Sequence, residues 1–520
     1  MLDIKKIESN ILFLKRVIFK IWLFLIIFEL AIFPSLATLY ALLLCSVGLL
    51  LCGKFVFNTR CLLLYSVSSI TILMYTAFFM LLPTIATLIE FKPLIYNLRD
   101  PFQTFTQLLI LQAALITIHL LYRKLSRRFV LKKHLYKMGF FNKLSYQELW
   151  ATILISLVSY IYIYIILSYG LYNENGENSA SDIPILLRII GFIMGSAYSI
   201  VLIFYMKKFD VIKRQYEPNN KLIILVVVMV FVTGLATNMR TDAISCFSAG
   251  LFLFVVYDLF YPLNLKQIFT VKNILIYGFM AYFFTGPFMD ISKAMLLSRG
   301  DRNGKSGIEV LTETMSNINI KDDTDNYLNK NTLNWDEEYL SNHILNRFCS
   351  LKILDETLFH ADRVGFNNPI MRETLHEKVI DSFPGIIKKL LKVEDDKTLR
   401  QYSLTDKLYS LSVSGAGLGG VKIGTLQGLG LSLWGWGYLL VLIPIYLVLF
   451  YLLDATVLFY KGRIKFSLFF IFNVSTFVYW FSDRHYYQWE FRWIFRTYWE
   501  SLFFFILFLF IIKRIPFIKH

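Results

Sequence analysis

The 520-residue sequence is poor in charged residues and in cysteine. Charged side chains make up 17% of it and hydrophobic residues 56%, whereas soluble globular proteins carry about 25% charged residues. This composition excludes an ordinary soluble domain and predicts an integral membrane protein. Most of the five cysteines lie in or beside apolar runs, which argues against a disulfide framework.

Short motifs for common soluble chemistries are also missing. The chain has no phosphate-binding P-loop, no dinucleotide fingerprint, no zinc-ligand spacing and no Gly-x-Ser-x-Gly elbow. We therefore predict no bound metal and no cofactor. The net charge of +16 raises the question of a nucleic-acid partner, but the distribution of that charge along the chain has a different explanation.

Long apolar runs are abundant. Runs of about 17 to 25 apolar residues can cross a bilayer as helices. We predict twelve of them, at about 18–34, 36–53, 61–82, 104–122, 149–170, 184–206, 221–237, 242–261, 273–289, 430–453, 466–482 and 499–512. The predicted fold class is all-α, a polytopic membrane protein. Basic residues precede the first run, which continues through Pro34 into the second, so we predict a retained signal anchor.

Basic residues predict the orientation of these helices. If the N-terminus is cytoplasmic, the inner segments include the lysine-rich and arginine-rich loops at 54–60, 123–143, 207–221, 266–272 and 461–465. Nearly the whole positive excess then lies inside, as the positive-inside rule requires, so no nucleic-acid partner is needed. Both termini are predicted to be cytoplasmic. The predicted division is helices one to nine at 1–290, an extracytoplasmic loop subdomain at 291–429, and helices ten to twelve at 430–520.

Arg240 departs from this charge distribution. The stretch VTGLATNMRTDAISC, residues 232–246, places it in a tight outer turn between helices seven and eight. The positive-inside rule disfavours an arginine there, which favours a functional role. The alternative is that Arg240 anchors a helix end by snorkelling. Asp242 is then a helix N-cap or the salt partner of Arg240.

The long outer segment alternates polar turns with amphipathic stretches. The stretch YLSNHILNRFCSLKILDETLF predicts one helix with an apolar stripe from Leu340 to Leu351, carrying His343 and Arg347 four residues apart. SFPGIIKKLLKV has an apolar face and a lysine face, which predicts a helix at the membrane interface. Nine glycines follow between residues 415 and 437. They allow close backbone approach to a lipid or sugar, although small-residue packing of helix ten is the plainer explanation.

Arginine is frequent on the predicted outer surface. A planar guanidinium group binds phosphate oxygens bidentately and stays charged, which favours recognition of a lipid diphosphate. If that diphosphate leaves in a reaction, the same arginines stabilise its charge without a metal. One alternative is that Arg347 pairs with Asp355 or Glu356 on a solvated face. Another is that Arg492 and Arg496 anchor lipid headgroups.

Several stretches resemble the superfamily of bacterial polysaccharide polymerases and O-antigen ligases, in particular the repeat-unit polymerases of the Wzy type. The predicted topology, with a large outer loop between helices nine and ten, is similar. TNMRTDAIS looks like the arginine signature before helix eight, and GLGLSLWGWGYLLVLIPIY like the glycine-bearing start of helix ten. LNRFCSL and the later DSFPGIIKKLL are similar to the family's loop pattern. The ligases' loop His-Asn motif is not matched by His343, His360 or His376, which favours a polymerase over a ligase.

The resemblance implies a metal-independent glycosyltransferase in the bacterial inner membrane, with its active site facing the periplasm. Such enzymes join oligosaccharide repeat units carried on undecaprenyl diphosphate into O-antigen or capsular polysaccharide. The implied partners are this lipid-linked oligosaccharide, membrane lipid and a chain-length-regulating co-polymerase, with no nucleic acid. Arg240 and Arg347 are the implied catalytic, diphosphate-binding residues. The implied supporting cations are Arg363, Arg484, Arg492 and Arg496, and the candidates for the general base are His376, His360, His343 and Asp242.

Two other classes fit the sequence less well. A lipid-linked oligosaccharide flippase also has about twelve helices, but such transporters are usually built from repeated halves with short loops, and no internal repeat is visible here. A glycosyltransferase of the GT-C type places acidic catalytic residues in a sizeable first outer loop. The turn near Pro34 is almost uncharged. The flippase and the O-antigen ligase remain the alternatives to a polymerase.

Overall fold

A computed structural model describes residues 4–126, 131–161, 220–236, 245–261, 270–297, 307–317, 335–336, 339–342, 345–346, 349–383, 385–392, 399, 402–419, 422–460, 463–472, 487–512 and 514. These residues are almost entirely helical. Five of their helical stretches are long and apolar enough to cross a membrane: Leu36–Phe55, Ser66–Ile89, Pro101–Leu125, Leu426–Asp454 and Tyr487–Ile511. The prediction of an all-α membrane protein is therefore confirmed.

The N-terminal part begins with a helix that is longer than predicted. Its helices are α1 (Ile4–Ile32), α2 (Leu36–Phe55), α3 (Thr59–Leu64), α4 (Ser66–Thr76), α5 (Leu82–Ile89), α6 (Pro101–Leu125), α7 (Leu131–Lys137) and α8 (Tyr146–Ile161). A π-turn, Ala77–Leu81, joins α4 and α5 into one span. The apolar run predicted a start near residue 18, but α1 starts earlier because Ile7 and Ile11 are buried in the bundle between its lysines.

The middle of the chain contributes α9 (Asn220–Ala236), α10 (Ser245–Phe260), α11 (Val271–Thr285), α12 (Pro287–Leu297) and α13 (Gly307–Asn317). The next helices are α14 (Leu351–Val364), α15 (Pro369–Asp381), α16 (Gly385–Leu390), α17 (Leu404–Ser412), α18 (Leu426–Trp434) and α19 (Tyr438–Asp454). The chain then forms α20 (Leu468–Phe472), α21 (Tyr487–Arg492) and α22 (Tyr498–Ile512). A second π-turn, Trp493–Thr497, joins α21 and α22.

A short hairpin follows α19 where the sequence predicted only an inner loop. Its strands are β1 (Val457–Tyr460) and β2 (Arg463–Phe466), and they pair antiparallel with Val457 opposite Phe466. The backbone of Ser467 donates to the Thr456 carbonyl at 3.0 Å, which extends the pairing by one step. The hairpin therefore turns the chain directly back towards the bundle.

One end of the bundle, which we call the basic end, gathers the helix ends near residues 55, 66, 125 and 454. Asp454, the last residue of α19, accepts hydrogen bonds from the backbone N–H groups of Val67 and Ser68 at 2.9 and 3.0 Å, and from Ser68 Oγ at 2.6 Å. Nε2 of the buried His119 lies 3.1 Å from the same hydroxyl. Arg123 donates to the Phe55 carbonyl at 3.3 Å. These bonds fasten α2, α4, α6 and α19 together.

The opposite end, which we call the head end, gathers the end of α1, the 90–100 turn and the starts of α6 and α18. Glu29 is fully buried there and accepts a hydrogen bond from the Leu94 N–H at 2.6 Å. The turn after α14 also reaches this end. Its Asn367 and Asn368 N–H groups donate to the Leu431 and Ser432 carbonyls in the last turn of α18, at 3.1 and 2.7 Å.

The predicted helix from Leu340 to Leu351 is not continuous. The described residues 339–342 are bent, Leu345 and Asn346 are helical, and residues 349–350 are again non-helical before α14 begins at Leu351. Two asparagines fix this break. Asn346 Oδ1 accepts from the Tyr339 and Leu340 N–H groups at 3.1 and 3.2 Å and holds the bend, and Asn342 Oδ1 accepts from the Leu345 N–H at 3.2 Å.

Several predictions fall outside the described residues. They are the helix at 184–206, most of the helix at 466–482, and the side chains of Arg240, Asp242, His343, Arg347 and Arg484. The twelve-span topology and the division into 1–290, 291–429 and 430–520 accordingly stay predictions.

Candidate functional site

The described residues from Trp335 to Gly419, which we call the head segment, are more polar than the membrane spans. Polar contacts bind the segment to the 90–100 turn. The two Glu90 carboxylate oxygens accept from the Asn342 and Ser341 N–H groups at 2.7 and 3.0 Å. Lys92 Nζ donates to Ser341 Oγ at 2.8 Å, and the Tyr339 hydroxyl donates to the Leu94 carbonyl. The head segment therefore covers the head end of the bundle.

A buried carboxylate pair on α14 makes the strongest of these contacts. Asp355 accepts from the Arg99 and Asp100 N–H groups at 2.8 and 3.0 Å and from Thr104 Oγ1 at 3.2 Å, which caps the start of α6. Glu356 Oε1 accepts from Arg99 Nε at 2.6 Å and from Lys352 Nζ at 2.8 Å. The second turn of α14 thus joins two elements that are about 250 residues apart in the sequence.

The contacts of Glu356 with its neighbours lower the pKa of its carboxyl. Burial alone would raise the pKa of this carboxyl, but hydrogen bonds from His360, Arg99 and Lys352 outweigh it and lower the pKa to about 2. Glu356 is therefore ionised at every physiological pH. Because its charge is neutralised within the cluster, it adds no negative field at the surface.

His360, one of the predicted catalytic residues, is fully buried beside this cluster. Its Nδ1 lies 2.6 Å from Ser412 Oγ and its Nε2 lies 3.5 Å from Glu356 Oε2. The ring stacks on Trp335 with centroids 5.0 Å apart. The imidazole therefore joins α14 to α17 and is covered on its face.

Arg363 and Arg99 share one aromatic ring. The Arg99 guanidinium carbon lies 4.1 Å from the centroid of Phe359, and that of Arg363 lies 5.5 Å from it. Arg363 is exposed in the last turn of α14. The structure thus places one of the predicted diphosphate-binding residues at the surface of the head segment, beside the cluster that fastens the segment down.

His376, the other predicted histidine, lies on the exposed face of α15, four residues after the exposed Arg372. The opposite face of α15 is buried and carries Lys378, whose Nζ donates to the Leu399 and Tyr402 carbonyls at 2.5 and 2.7 Å. Burial lowers the pKa of Lys378 to about 8, although the nearby carboxylates raise it in part. His376 is thus accessible, and His360 is not.

Arg492 and Arg496 lie at the start of the last membrane span. Arg492 is exposed, with its guanidinium carbon 5.8 Å from the Trp489 ring. Arg496 Nε donates to Glu500 Oε1 at 2.8 Å, one turn further on. Glu500 therefore balances part of the charge of Arg496 within the same helix. This leaves Arg496 with less positive charge to offer a bound anion than an arginine without a carboxylate neighbour.

Three of the nine glycines fix how closely the head segment and the last spans approach α18. A Cβ on Gly428 would lie 2.7 Å from the Thr357 carbonyl carbon in α14, and one on Gly430 would lie 2.6 Å from the Tyr487 hydroxyl. A Cβ on Gly424 would lie 2.4 Å from Thr405 Oγ1 in α17. Gly435 has φ +56 and ends α18, so it interrupts the α-helix between α18 and α19 within the span Leu426–Asp454. At the first three positions, the described packing supports the small-residue explanation.

Sequence reasoning missed Arg99, Lys352 and Ser412. A signal for Arg99 was present, because the short turn between two apolar runs contains Glu90, Lys92 and an Arg-Asp-Pro helix start. Its partner on α14 had no signal, since the contact crosses about 250 residues.

Metal binding finds no support in the described part of the chain. It contains no group of three or more His, Cys, Asp or Glu side chains that could hold an ion. The four cysteines described there, Cys45, Cys52, Cys61 and Cys349, are buried and form no disulfide.

No family model matches the chain, and neither does any curated protein or solved structure.

Proposed function

We propose that the protein is a bacterial repeat-unit polymerase that joins undecaprenyl-diphosphate-linked oligosaccharides into O-antigen or capsular polysaccharide. In this proposal the head end faces the periplasm, the basic end faces the cytoplasm, and twelve spans cross the inner membrane. The exposed positions of Lys54, Arg60 and Lys124 at the basic end support this orientation.

The observation that carries the proposal is the exposure of two arginines on the head segment. The segment's buried carboxylates Asp355 and Glu356 are paired with Arg99, Lys352 and backbone donors. Arg363 and Arg372 are exposed on the same segment. Guanidinium groups at the outer ends of apolar spans suit a ligand that has a lipid tail and a diphosphate head.

The proposed reaction needs two kinds of group. A hydroxyl of the acceptor's terminal sugar attacks the anomeric carbon of the donor chain, and the bond from that carbon to the diphosphate breaks with the electron pair leaving on the diphosphate. Arginines stabilise that charge. A base takes the hydroxyl proton, and exposed His376 suits this role better than buried His360. Arg240 and Arg347 keep the proposed roles in diphosphate binding, with Arg363, Arg484, Arg492 and Arg496 in support.

Deletion in the native host tests the activity. A polymerase is indicated if polymerised chains vanish while single-unit caps survive. Loss of all surface units would indicate a flippase, and accumulation of long lipid-linked chains would indicate a ligase. A co-polymerase is expected to set the length of the chains that remain in partially active variants.

Point variants test the site in the same strain. Arg240→Ala and Arg347→Ala are both expected to abolish polymer, and Arg363→Ala to lower its amount about tenfold or more, because each removes a group that stabilises the leaving diphosphate. Arg363→Lys keeps the charge and loses the planar fork, so it should stay impaired. Exposed Arg60 at the basic end is the matched control. Normal polymer in all three alanine variants at normal protein levels would refute the diphosphate assignment.

A further inference from the structure

The short helix α16 separates the two lysines of its Lys-Lys pair. Lys388 is buried and forms an ion pair with Asp381 at the end of α15. Lys389 is exposed, and so is Lys392 just beyond the helix. Lys388 therefore fastens α16 to the end of α15, and Lys389 faces outward together with Lys392.

The exposed side of α16 also carries leucines. Leu390 is 82% exposed, the highest value among the large hydrophobic side chains of the described residues, and Leu391 is 53% exposed. Each leucine in water forgoes about 1.5–3 kcal/mol of burial free energy. A leucine pair flanked by lysines is the pattern of a helix that lies in the interfacial region of a membrane.

An aromatic contact fixes where this helix lies relative to the bundle. The Phe383 ring, two residues before α16, lies 5.7 Å from the Phe495 ring in the π-turn of the last span. Phe495 and Trp499 are themselves exposed along that span. The leucines of α16 and the aromatic rings of the last span therefore form neighbouring apolar surfaces at the head end.

Cations border these apolar surfaces. Arg492 is exposed on the last span one turn before Arg496. Lys389 is exposed on α16, and Lys392 is exposed just beyond it. The described carboxylates at 381–392 and 487–500 are buried or paired. They are Asp381 with Lys388, Glu490 with Tyr446, and Glu500 with Arg496. An acidic run at 394–396 follows α16 in the sequence, so the exposed cations and leucines, rather than the net charge, distinguish this surface.

We infer that α16 and the start of the last span form the docking site at which the lipid carrier of the substrate, a polyprenyl diphosphate, first binds, before Arg240 and Arg347 bind its diphosphate for the reaction. At this docking site its first isoprene units lie against Leu390, Leu391 and Phe495, and its diphosphate is bound by Lys389 and Lys392 with Arg492. The inference rests on the proposed function, because a polymerase needs such a carrier. The carrier approaches from the side, within the membrane, because both surfaces are exposed at the end of an apolar span.

Binding of geranylgeranyl diphosphate to the purified full chain in detergent tests this site. The double variant Lys389→Ala/Lys392→Ala should weaken binding about tenfold or more, since it removes two of the three cations that bind the diphosphate. The variant Leu390→Ser/Leu391→Ser should weaken binding of both the diphosphate and geranylgeraniol, which lacks phosphate. The lysine variant should bind geranylgeraniol normally.

Matched controls come from exposed residues elsewhere. Lys133→Ala/Lys137→Ala removes two exposed lysines at the basic end, and Phe91→Ser removes a 73% exposed side chain from the 90–100 turn. Both should bind as the unmodified chain does. All four variants change exposed side chains, so unchanged thermal unfolding is expected and confirms folding.

Two results would overturn the inference. One is unchanged diphosphate binding in both α16 variants. The other is displacement of the probe by equal amounts of phosphatidylglycerol, which would make the surface a general lipid anchor.

The deletion strain separates this test from the proposed function. If the strain still makes full-length polymer while the α16 variants lose binding, the docking site stands and the polymerase is wrong. If polymer vanishes in the deletion strain and the α16 variants bind the probe normally, the polymerase stands and the docking site is wrong.

Discussion

The two ends of the bundle each bury a carboxylate cluster, but they neutralise it differently. At the head end, Glu356 is paired with Arg99 and Lys352. At the basic end, Asp454 is held by the backbone N–H groups of Val67 and Ser68 and by the Ser68 hydroxyl. The head end thus joins a polar segment to the spans through opposite charges, whereas the basic end joins one span to another chiefly through dipoles.

This difference has an energetic consequence. A buried ion pair contributes little net stability when intact but leaves an uncompensated charge when one partner is removed. Removal of Asp454 leaves the Val67 and Ser68 N–H groups unsatisfied and takes a carboxylate from the nearby Lys132, but it breaks no direct ion pair given by the described contacts. The head end should therefore be the more sensitive to loss of its carboxylate, although the two clusters are equally buried.

The largest expected effect is that of Glu356→Ala. It leaves Arg99 and Lys352 without their shared partner and should destabilise the protein by about 3–5 kcal/mol. Thermal unfolding in detergent measures this, and protease sensitivity of the head segment reports where the structure opens. Glu373→Ala, on the exposed face of α15, is the matched control and should stay within about 0.5 kcal/mol. Equal effects of the two variants would show that the ionic cluster does not fasten the head segment.

Asp454→Ala should come next, at about 1–3 kcal/mol, because the Val67 and Ser68 N–H groups lose their acceptor. Asp454→Asn keeps one acceptor oxygen and should cost less than the alanine variant. The same unfolding measurement applies. If Asp454→Ala were as damaging as Glu356→Ala, the contrast between charge and dipole at the two ends would fail.

Gly428→Ala asks whether packing also holds the head segment. Its Cβ would lie 2.7 Å from the Thr357 carbonyl carbon, so α14 and α18 must separate, at about 1–3 kcal/mol. Gly417→Ala has nothing within 4 Å and serves as the control. A Gly428→Ala protein that unfolds at the same temperature as the control would leave the charges as the main attachment.

Lowering the pH should reduce the free energy of unfolding, because Glu356 becomes protonated and its ion pairs at the head end are lost. The folded pKa of about 2 lies below the ordinary value of 4.5, so the stabilisation is complete above pH 4.5 and is lost as the pH falls through 2. Unfolding of the unmodified chain and of Glu356→Gln between pH 6 and pH 3 measures the difference. The two curves should converge towards low pH. Parallel curves would mean that Glu356 does not titrate in this way.

The last expected effect belongs to Lys378 and appears at alkaline pH, where stability changes with pH in the same direction as it does for Glu356 at acid pH. Burial lowers its pKa from 10.5 to about 8, so between these values the unfolded chain binds more protons than the folded one. Stability should therefore rise as the pH increases from 8 to 10.5. In Lys378→Met this rise should disappear, and its persistence there would assign it to another group.

The apolar runs predicted the described membrane spans well because a span needs only length and hydrophobicity. The run at 104–122 became α6, Pro101–Leu125, and the run at 36–53 became α2, Leu36–Phe55. The prediction was least accurate where long-range or side-chain contacts decide. The stripe from Leu340 did not form one continuous helix, because the Asn346 side chain holds the N–H groups of Tyr339 and Leu340 in a bend before the helical residues Leu345 and Asn346.

The candidate site was only partly accessible to sequence reasoning. Arginine frequency drew attention to Arg363, and the structure places it at the surface of the head segment. Nothing in the local pattern of α14 showed that Glu356 would meet Arg99, because that meeting depends on how the bundle brings the 90–100 turn to the second turn of α14. The role of His360 as a buried connection to Ser412 was hidden for the same reason.

The π-turn Ala77–Leu81 has a consequence for how the chain tolerates insertions and deletions. It lies between Ser68, which binds Asp454 at the basic end, and Glu90, which binds the head segment. A residue lost from the α-helical turns of α4 would rotate α5 by about 100°, and Glu90 would no longer face Ser341 and Asn342. A residue lost from the π-turn itself would only restore ordinary α-helix, because the wider turn absorbs one extra residue, and Glu90 would keep its direction. The span should therefore tolerate a deletion at the π-turn, whereas a deletion in α4 should detach the head segment.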